Sequence, residues 1–299
     1  MTDYGQTLSF GLSLDPEVDQ LGETMRLAAA ADEYELDYLA VQDHAYQPGH
    51  LDAWTLITNL ATRTRHVSFL TDVADLQLRP PAMLAKAAAT LGVLAGGRTV
   101  LGVGGGAFAD AIAGMGGKRR SGGEMVVYTE ESLHVMRAAL GGGGVRLLSE
   151  QHAIEGYAAG PVPPAPVPLW LGGQGPKMLG VTGRAADGWI SPLNIYVPPG
   201  EVPAKQKIID EAARAAGRDP LDIRRIYNVI GTIGDVRGGP GLAGNVRLWT
   251  DTLTGWAVEL GFDTFIFWPV ADHRVQFDVF AAEVVPAVRQ RVGQVRGRR

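Results

Sequence analysis

The stretch Trp170-Leu171-Gly172-Gly173-Gln174-Gly175-Pro176-Lys177-Met178 joins an apolar run to a helical one through three glycines. Glycine lets a backbone approach an anion closely. The first turn of a helix adds unpaired N–H groups and the positive end of the helix dipole. Pro176 suits that first turn, where a missing N–H costs nothing. The chemistry on offer is phosphate binding by Gly173, Gln174, Gly175, Pro176 and Lys177; the bland alternative is a tight turn. The segment from Gly183 to Trp189 closes the helix and opens another strand, so the cradle sits inside a βαβ unit.

Other strand ends carry further candidates. The run 38–42 ends in Asp43-His44. The ordinary pKa of His44, about 6.5, suits proton transfer near neutrality, and Asp43 could orient a ligand; against this stands a surface histidine that only hydrogen-bonds. The run 67–71 ends in Asp72-Val73, where Asp72 is either a ligand contact or a turn residue. The run 99–103 ends in Gly104-Gly105-Gly106, which lets a flat ring or a phosphate lie against backbone, or forms a flexible loop. Arg119 and Arg120 offer an anion site or a solvated basic loop.

Several chemistries are excluded. The chain has no cysteine, so disulfides, thiolate nucleophiles and cysteine-bound metals are ruled out. None of its five lysines ends a strand candidate, which disfavours a Schiff-base aldolase. Its six histidines show no zinc-ligand spacing, so no metal site is expected, and no Gly-x-Ser-x-Gly elbow occurs. What remains suits a cofactor that carries the chemistry while the protein orients it. A net charge of -5 argues against nucleic acid. No apolar run approaches the roughly 18 residues of a membrane span, and no signal peptide is visible, so a cytoplasmic protein is expected.

The elements that must position these residues alternate. Strands are predicted at 8–14, 38–42, 67–71, 99–103, 168–171, 188–191, 225–233 and 262–268. Helices are predicted at 19–34, 54–62, 81–94, 124–140, 204–216, 245–260 and 275–291, with Asp52 as an N-cap. Eight strands alternating with helices predict a (β/α)8 barrel as one domain over 1–299, with a doubly wound sheet as the alternative. The Gly- and Pro-rich segment 141–167 reads as an insertion after the fourth strand and helix, with 145–148 and 153–157 able to pair as a hairpin. The basic segment 289–299 reads as a frayed tail.

The pieces Tyr38–His44, Leu78–Lys86 with Leu94–Arg98, Leu101–Gly106, Gly172–Met178 with Ala186–Trp189, and Phe265–Pro269 are collinear over nearly the whole chain. Together they resemble the bacterial luciferase-like monooxygenase superfamily, most closely its deazaflavin-dependent oxidoreductases. The resemblance implies a (β/α)8 (TIM) barrel and an oxidoreductase that moves hydride between a cofactor and a small-molecule substrate. The implied cofactor is the deazaflavin coenzyme F420, with FMN and oxygen-using monooxygenase chemistry as the alternative; a binding protein with little catalysis is the reading from another class. It further implies a non-proline cis bond at Asp72–Val73, ring contacts from Asp43 and from Asp72-Val73, phosphate contacts from Gly173–Lys177, His44 at the reacting centre, and a homodimer. One departure stands out. Some deazaflavin sugar-phosphate dehydrogenases carry a glutamate after the glycines of the fourth strand, where this chain has Ala107. Sugar-phosphate oxidation is disfavoured accordingly.

Overall fold

The apolar runs pair side by side, all parallel, and the computed structural model describes residues 3–120, 122–236 and 238–298. The eight strands are β1 (Ser9–Leu14), β2 (Tyr38–Val41), β3 (Ser68–Thr71), β4 (Thr99–Gly104), β5 (Leu169–Gly172), β6 (Gly188–Ser191), β7 (Arg224–Ile233) and β8 (Thr264–Pro269). Each is hydrogen-bonded to the next, and β8 returns to β1 through the register Ser9–Thr264 to Leu12–Phe267. The barrel is closed, as the count of eight strands predicts, and the doubly wound alternative is set aside. Around it run α1 (Leu21–Glu33), α2 (Ala53–Ala61), α3 (Pro81–Leu94), α4 (Gly122–Leu140), α5 (Pro176–Ala185), α6 (Val202–Ala215), α7 (Val246–Leu260) and α8 (Val285–Arg296).

Two apolar cores follow from closure. Ala40, Leu70, Val100, Trp170, Ile190, Ile226 and Ile266, one from each of β2 to β8, fill the barrel interior. β1 contributes Gly11 there instead, because a Cβ would lie 2.5 Å from Ile266 Cδ1. A larger core between barrel and helices runs from Leu8 to Val292.

Local chemistry sets the element ends. The Asp52 carboxylate accepts the Thr55 N–H at 2.9 Å and caps α2. Asn245 does the same for α7, which ends on Gly261 at φ 76°. The segment 141–167 forms a hairpin of Gly143–Leu148 with Ala153–Ala159. Three short elements were not legible: a helix Ala109–Gly114 after β4, a two-residue strand Ala74–Asp75 paired with Val103-Gly104, and Leu242–Gly244 beside β7.

The C-terminus corrects one expectation. The last helix begins earlier than predicted, at His273, passes through a wide π-helical turn at Phe280–Val284 and continues as α8 to Arg296. Pro286 lacks the N–H that an unbroken α-helix would use at that position. The segment from 289 is therefore not a frayed tail over its described residues. Arg289 pairs with Asp37 at 2.8 Å, Arg296 pairs with Asp3 at 2.8 Å, and Val292 is buried. Met1, Thr2 and Arg299 lie outside the described residues.

One carboxylate organises the entry to β3. Asp32 accepts the backbone N–H groups of Arg65, His66 and Val67 at 2.7–3.0 Å. Partial burial opposes its ionisation, but the three donors outweigh it and hold its pKa below the ordinary value. Asp32→Ala is expected to destabilise the fold by about 1–2 kcal/mol at pH 7. Because the folded-state pKa is depressed, that difference is full above the unfolded value near 4 and disappears as pH falls through the folded value. Denaturant titrations of both proteins at pH 7 and below pH 3 measure it.

Candidate active site

At the C-terminal ends of the strands a cavity of about 530 Å³ opens to solvent, a size usual for small-molecule sites. Asp43, His44, Asp72, Val73, Gly104, Gly105, Gly106, Gly173 and Gln174 line it. Gly175, Pro176 and Lys177 do not; Pro176, with Gln174, borders a second, more open depression beside Lys205.

The wall begins where β3 stops. The chain leaves the sheet after Thr71, passes through a cis peptide bond at Asp72–Val73 and rejoins the sheet at Ala74-Asp75 beside β4. Val73 fills the space that two glycines leave open. A Cβ on Gly104 would come within 2.6 Å of Val73 Cγ2, and one on Gly172 within 3.0 Å of Val73 Cγ1. Gly104 is thus needed for the close approach of a neighbouring side chain, which its sequence reading as a ring or phosphate contact did not include.

The same bulge turns Asp72 into the barrel. Its Oδ1 accepts from Asn228 Nδ2 at 3.2 Å, while Oδ2 is buried without a partner. Burial pushes the Asp72 carboxyl up to about 7, against the opposing pull of the Asn228 donor. Asn228 Oδ1 and Trp268 Nε1 are also buried and unpartnered. The cavity floor therefore carries unmet donors and acceptors, each costing roughly 1–3 kcal/mol until something bonds to it.

Asp43 is held differently. It is 3% exposed, and Arg79 Nε and Nη2 grip its two oxygens at 2.7 and 2.8 Å. Arg79 also pairs with the α2 cap Asp52. Asp43 therefore serves as the anchor of an ion-pair relay as well as a wall of the cavity. His44, next in sequence, is stacked on Tyr46 with ring centroids 5.2 Å apart and meets the edge of Phe108 at 5.4 Å. Its ring also lies parallel to His50 at 6.3 Å. Burial and then the His50 charge lower the His44 pKa, with Asp43 opposing. His44 is accordingly a neutral imidazole at pH 7.

The glycine turn leads from strand to helix. β5 runs through Gly172 into Gly173, whose carbonyl accepts Trp189 Nε1 at 2.8 Å. α5 starts at Pro176 after Gly175, and no side chain caps it. Arg119 and Arg120 lie outside the cavity. Arg119 pairs with Asp110, and Arg120 lies 3.5 Å from the centroid of the Tyr128 ring while bonding Gln77.

Sequence reasoning missed Arg79, Asp75, Phe108, Met125 and Asn228. For Asn228 a signal existed, an amide between Ile226-Tyr227 and Val229-Ile230. Phe108 carried none, since its loop position depends on the unforeseen helix after β4.

With this geometry the comparisons with known proteins agree. Residues 3–237 match the family model described as luciferase-like monooxygenase. An F420-dependent glucose-6-phosphate dehydrogenase of Mycolicibacterium gilvum is 32% identical over 235 residues, 74% of this chain and 68% of that protein. A 5,10-methylenetetrahydromethanopterin reductase of Methanolobus tindarius is 30% identical over 72% of this chain and 63% of its own length. Among solved structures, an F420-dependent secondary alcohol dehydrogenase in complex with an F420-acetone adduct superposes with TM-score 0.84 at 19% identity, covering 95% of this chain and 99% of that one. A riboflavin lyase with modified FMN superposes with TM-score 0.82 at 14% identity, covering 96% and 92%. The chain belongs to the luciferase-like monooxygenase family.

Proposed function

We propose that this protein is an F420-dependent oxidoreductase that moves hydride between the deazaflavin and a small organic alcohol or carbonyl compound. The observation that carries the reading is a cavity floor together with a helix start beside the cavity. The floor of Asp72, Asn228 and Trp268 has unmet hydrogen-bonding atoms, and the uncapped start of α5 stands at its edge. A ring with a polar edge suits the first, and a phosphate suits the second. The F420-dependent relatives over some three quarters of the chain add the choice of ring.

When bound, the deazaflavin supplies two-electron chemistry at carbon and reacts poorly with oxygen. Asp72, Asn228 and Trp268 would hold its polar edge, Val73 and the glycines behind it one face, and Gly173–Lys177 its phosphate. Asp72 stays protonated to near neutral pH, so it is both a donor and an acceptor there. His44, neutral at pH 7, takes the O–H proton of an alcohol as its carbon is oxidised. In its protonated form it returns a proton to a carbonyl oxygen being reduced. A homodimer and a cytoplasmic location complete the proposal, the first checked by light scattering and the second by cell fractionation. Among the described residues no helix is long and apolar enough to cross a membrane.

Separate fluorescence titrations with F420 and FMN test the cofactor. Saturable F420 binding without FMN binding is expected; preference for FMN moves the chemistry to oxygen, and binding of neither removes the redox reading. His44→Ala is expected to lower kcat by about a hundredfold or more while the F420 Kd stays unchanged. Equal slow turnover in both proteins would instead favour a binding role. The wild-type rate of alcohol oxidation is expected to stay level above pH 7 and fall on acidification, as the depressed His44 pKa is crossed. Asp72→Asn tests the buried carboxyl in the cofactor-free protein. A carboxyl pushed up to about 7 favours the folded state only while protonated, so the wild type loses up to about 4 kcal/mol relative to the variant as pH rises from 4 to 7, and no more above that. Urea midpoints of the two proteins across that range measure the difference.

A further inference from the structure

Among the described residues, no lysine or arginine lines the cavity, whereas Asp43, Asp72 and Asp75 do. The nearby cations are already engaged. Arg79 is bound to Asp43 and Asp52, Arg119 to Asp110, and Arg120 lies on Tyr128 and bonds Gln77. A phosphorylated or carboxylated substrate would enter this space with no free cation to meet it, an unfavourable arrangement where water is excluded.

The side of the cavity around His44 offers something else. Tyr46 and Phe108 stand against the imidazole and against each other, with centroids 5.7 Å apart. Pro192, Leu193 and Tyr196 line the cavity from the segment after β6. Phe108 and Tyr196 are 53% and 63% exposed, large rings at the mouth that a hydrophobic ligand would cover. The polar groups on this side include the neutral His44 and the hydroxyls of Tyr46 and Tyr196.

We infer that the substrate is an uncharged, apolar alcohol or its ketone, held by its hydrocarbon part against Tyr46, Phe108 and Tyr196 with its oxygen toward His44, and that phosphorylated sugars are rejected. The inference rests on the hydride-transfer reading for the reaction and on the cavity's charge and lining for the substrate class. It separates this chain from those relatives whose names specify glucose 6-phosphate.

Isothermal titration calorimetry with 2-butanol, 2-hexanol, 2-octanol and glucose 6-phosphate tests it, on protein loaded with F420 and on protein as purified. Affinity is expected to rise by up to about fourfold per added methylene until the cavity is filled, with no saturable binding of glucose 6-phosphate. Phe108→Ala, at an exposed position where the fold does not depend on the ring, is expected to weaken 2-octanol binding at least fivefold and to flatten the series. Tighter binding of glucose 6-phosphate than of any alcohol, or affinity independent of chain length, overturns the inference. Absence of F420 binding would remove the proposed reaction, while the length series on the protein as purified still decides the substrate class.

Discussion

The site depends on one steric fit, the Val73 side chain set between the glycines that end β4 and β5. A strand that continued straight past Thr71 would carry Asp72 and Val73 along the barrel wall. Instead the chain steps inward and rejoins the sheet two residues later at Ala74. That step delivers Asp72 to the barrel interior beside Asn228 and presents the bulge to the cavity. Any side chain at Gly104 would collide with Val73. The glycines therefore act first on protein packing, and only through it on a ligand.

A second constraint fixes the opposite wall. Arg79 binds Asp43 through two hydrogen bonds and reaches the cap of α2 through Asp52. The start of α3, the end of β2 and the start of α2 are thereby tied by one guanidinium. A paired charge of this kind is costly to break, because removing one partner leaves the other buried and unmatched. His44 follows Asp43 directly, so the relay sets where the imidazole stands. Burial and the neighbouring His50 then keep it neutral.

Much of this was legible in the sequence, for stated reasons. The barrel follows from alternation, because a parallel sheet leaves buried apolar runs separated by helices, the first four about 30 residues apart, and eight of them favour closure. The Asp52 cap, the hairpin after α4 and the glycine–proline start of α5 are short-range patterns that chemistry dictates locally. Asp43, His44, Asp72 and Gly104–Gly106 were singled out because they stand at strand ends, and the cavity is lined by all of them. The rest depends on contacts distant in sequence. Nothing near Asp43 announces Arg79, 36 residues on. Arg289 and Arg296 read as a solvated basic tail because their partners Asp37 and Asp3 lie at the far end of the chain. Of the segment 173–177, Gly173 and Gln174 line the cavity while Gly175, Pro176 and Lys177 do not, a split that local sequence does not show.

The pairing of β8 with β1 has a consequence for synthesis. A chain emerging from the ribosome makes β1 first, yet Phe10 finishes its packing against Phe265 and Phe280, which come last. Until residues 264–269 appear, one edge of β1 has no partner and its apolar side lacks a cover. An open edge of this kind invites pairing with the wrong strand. The nascent barrel is thus a curved sheet with two sticky margins until the segment from Thr264 onward, about the last eighth of these residues, completes the wall and removes the hazard.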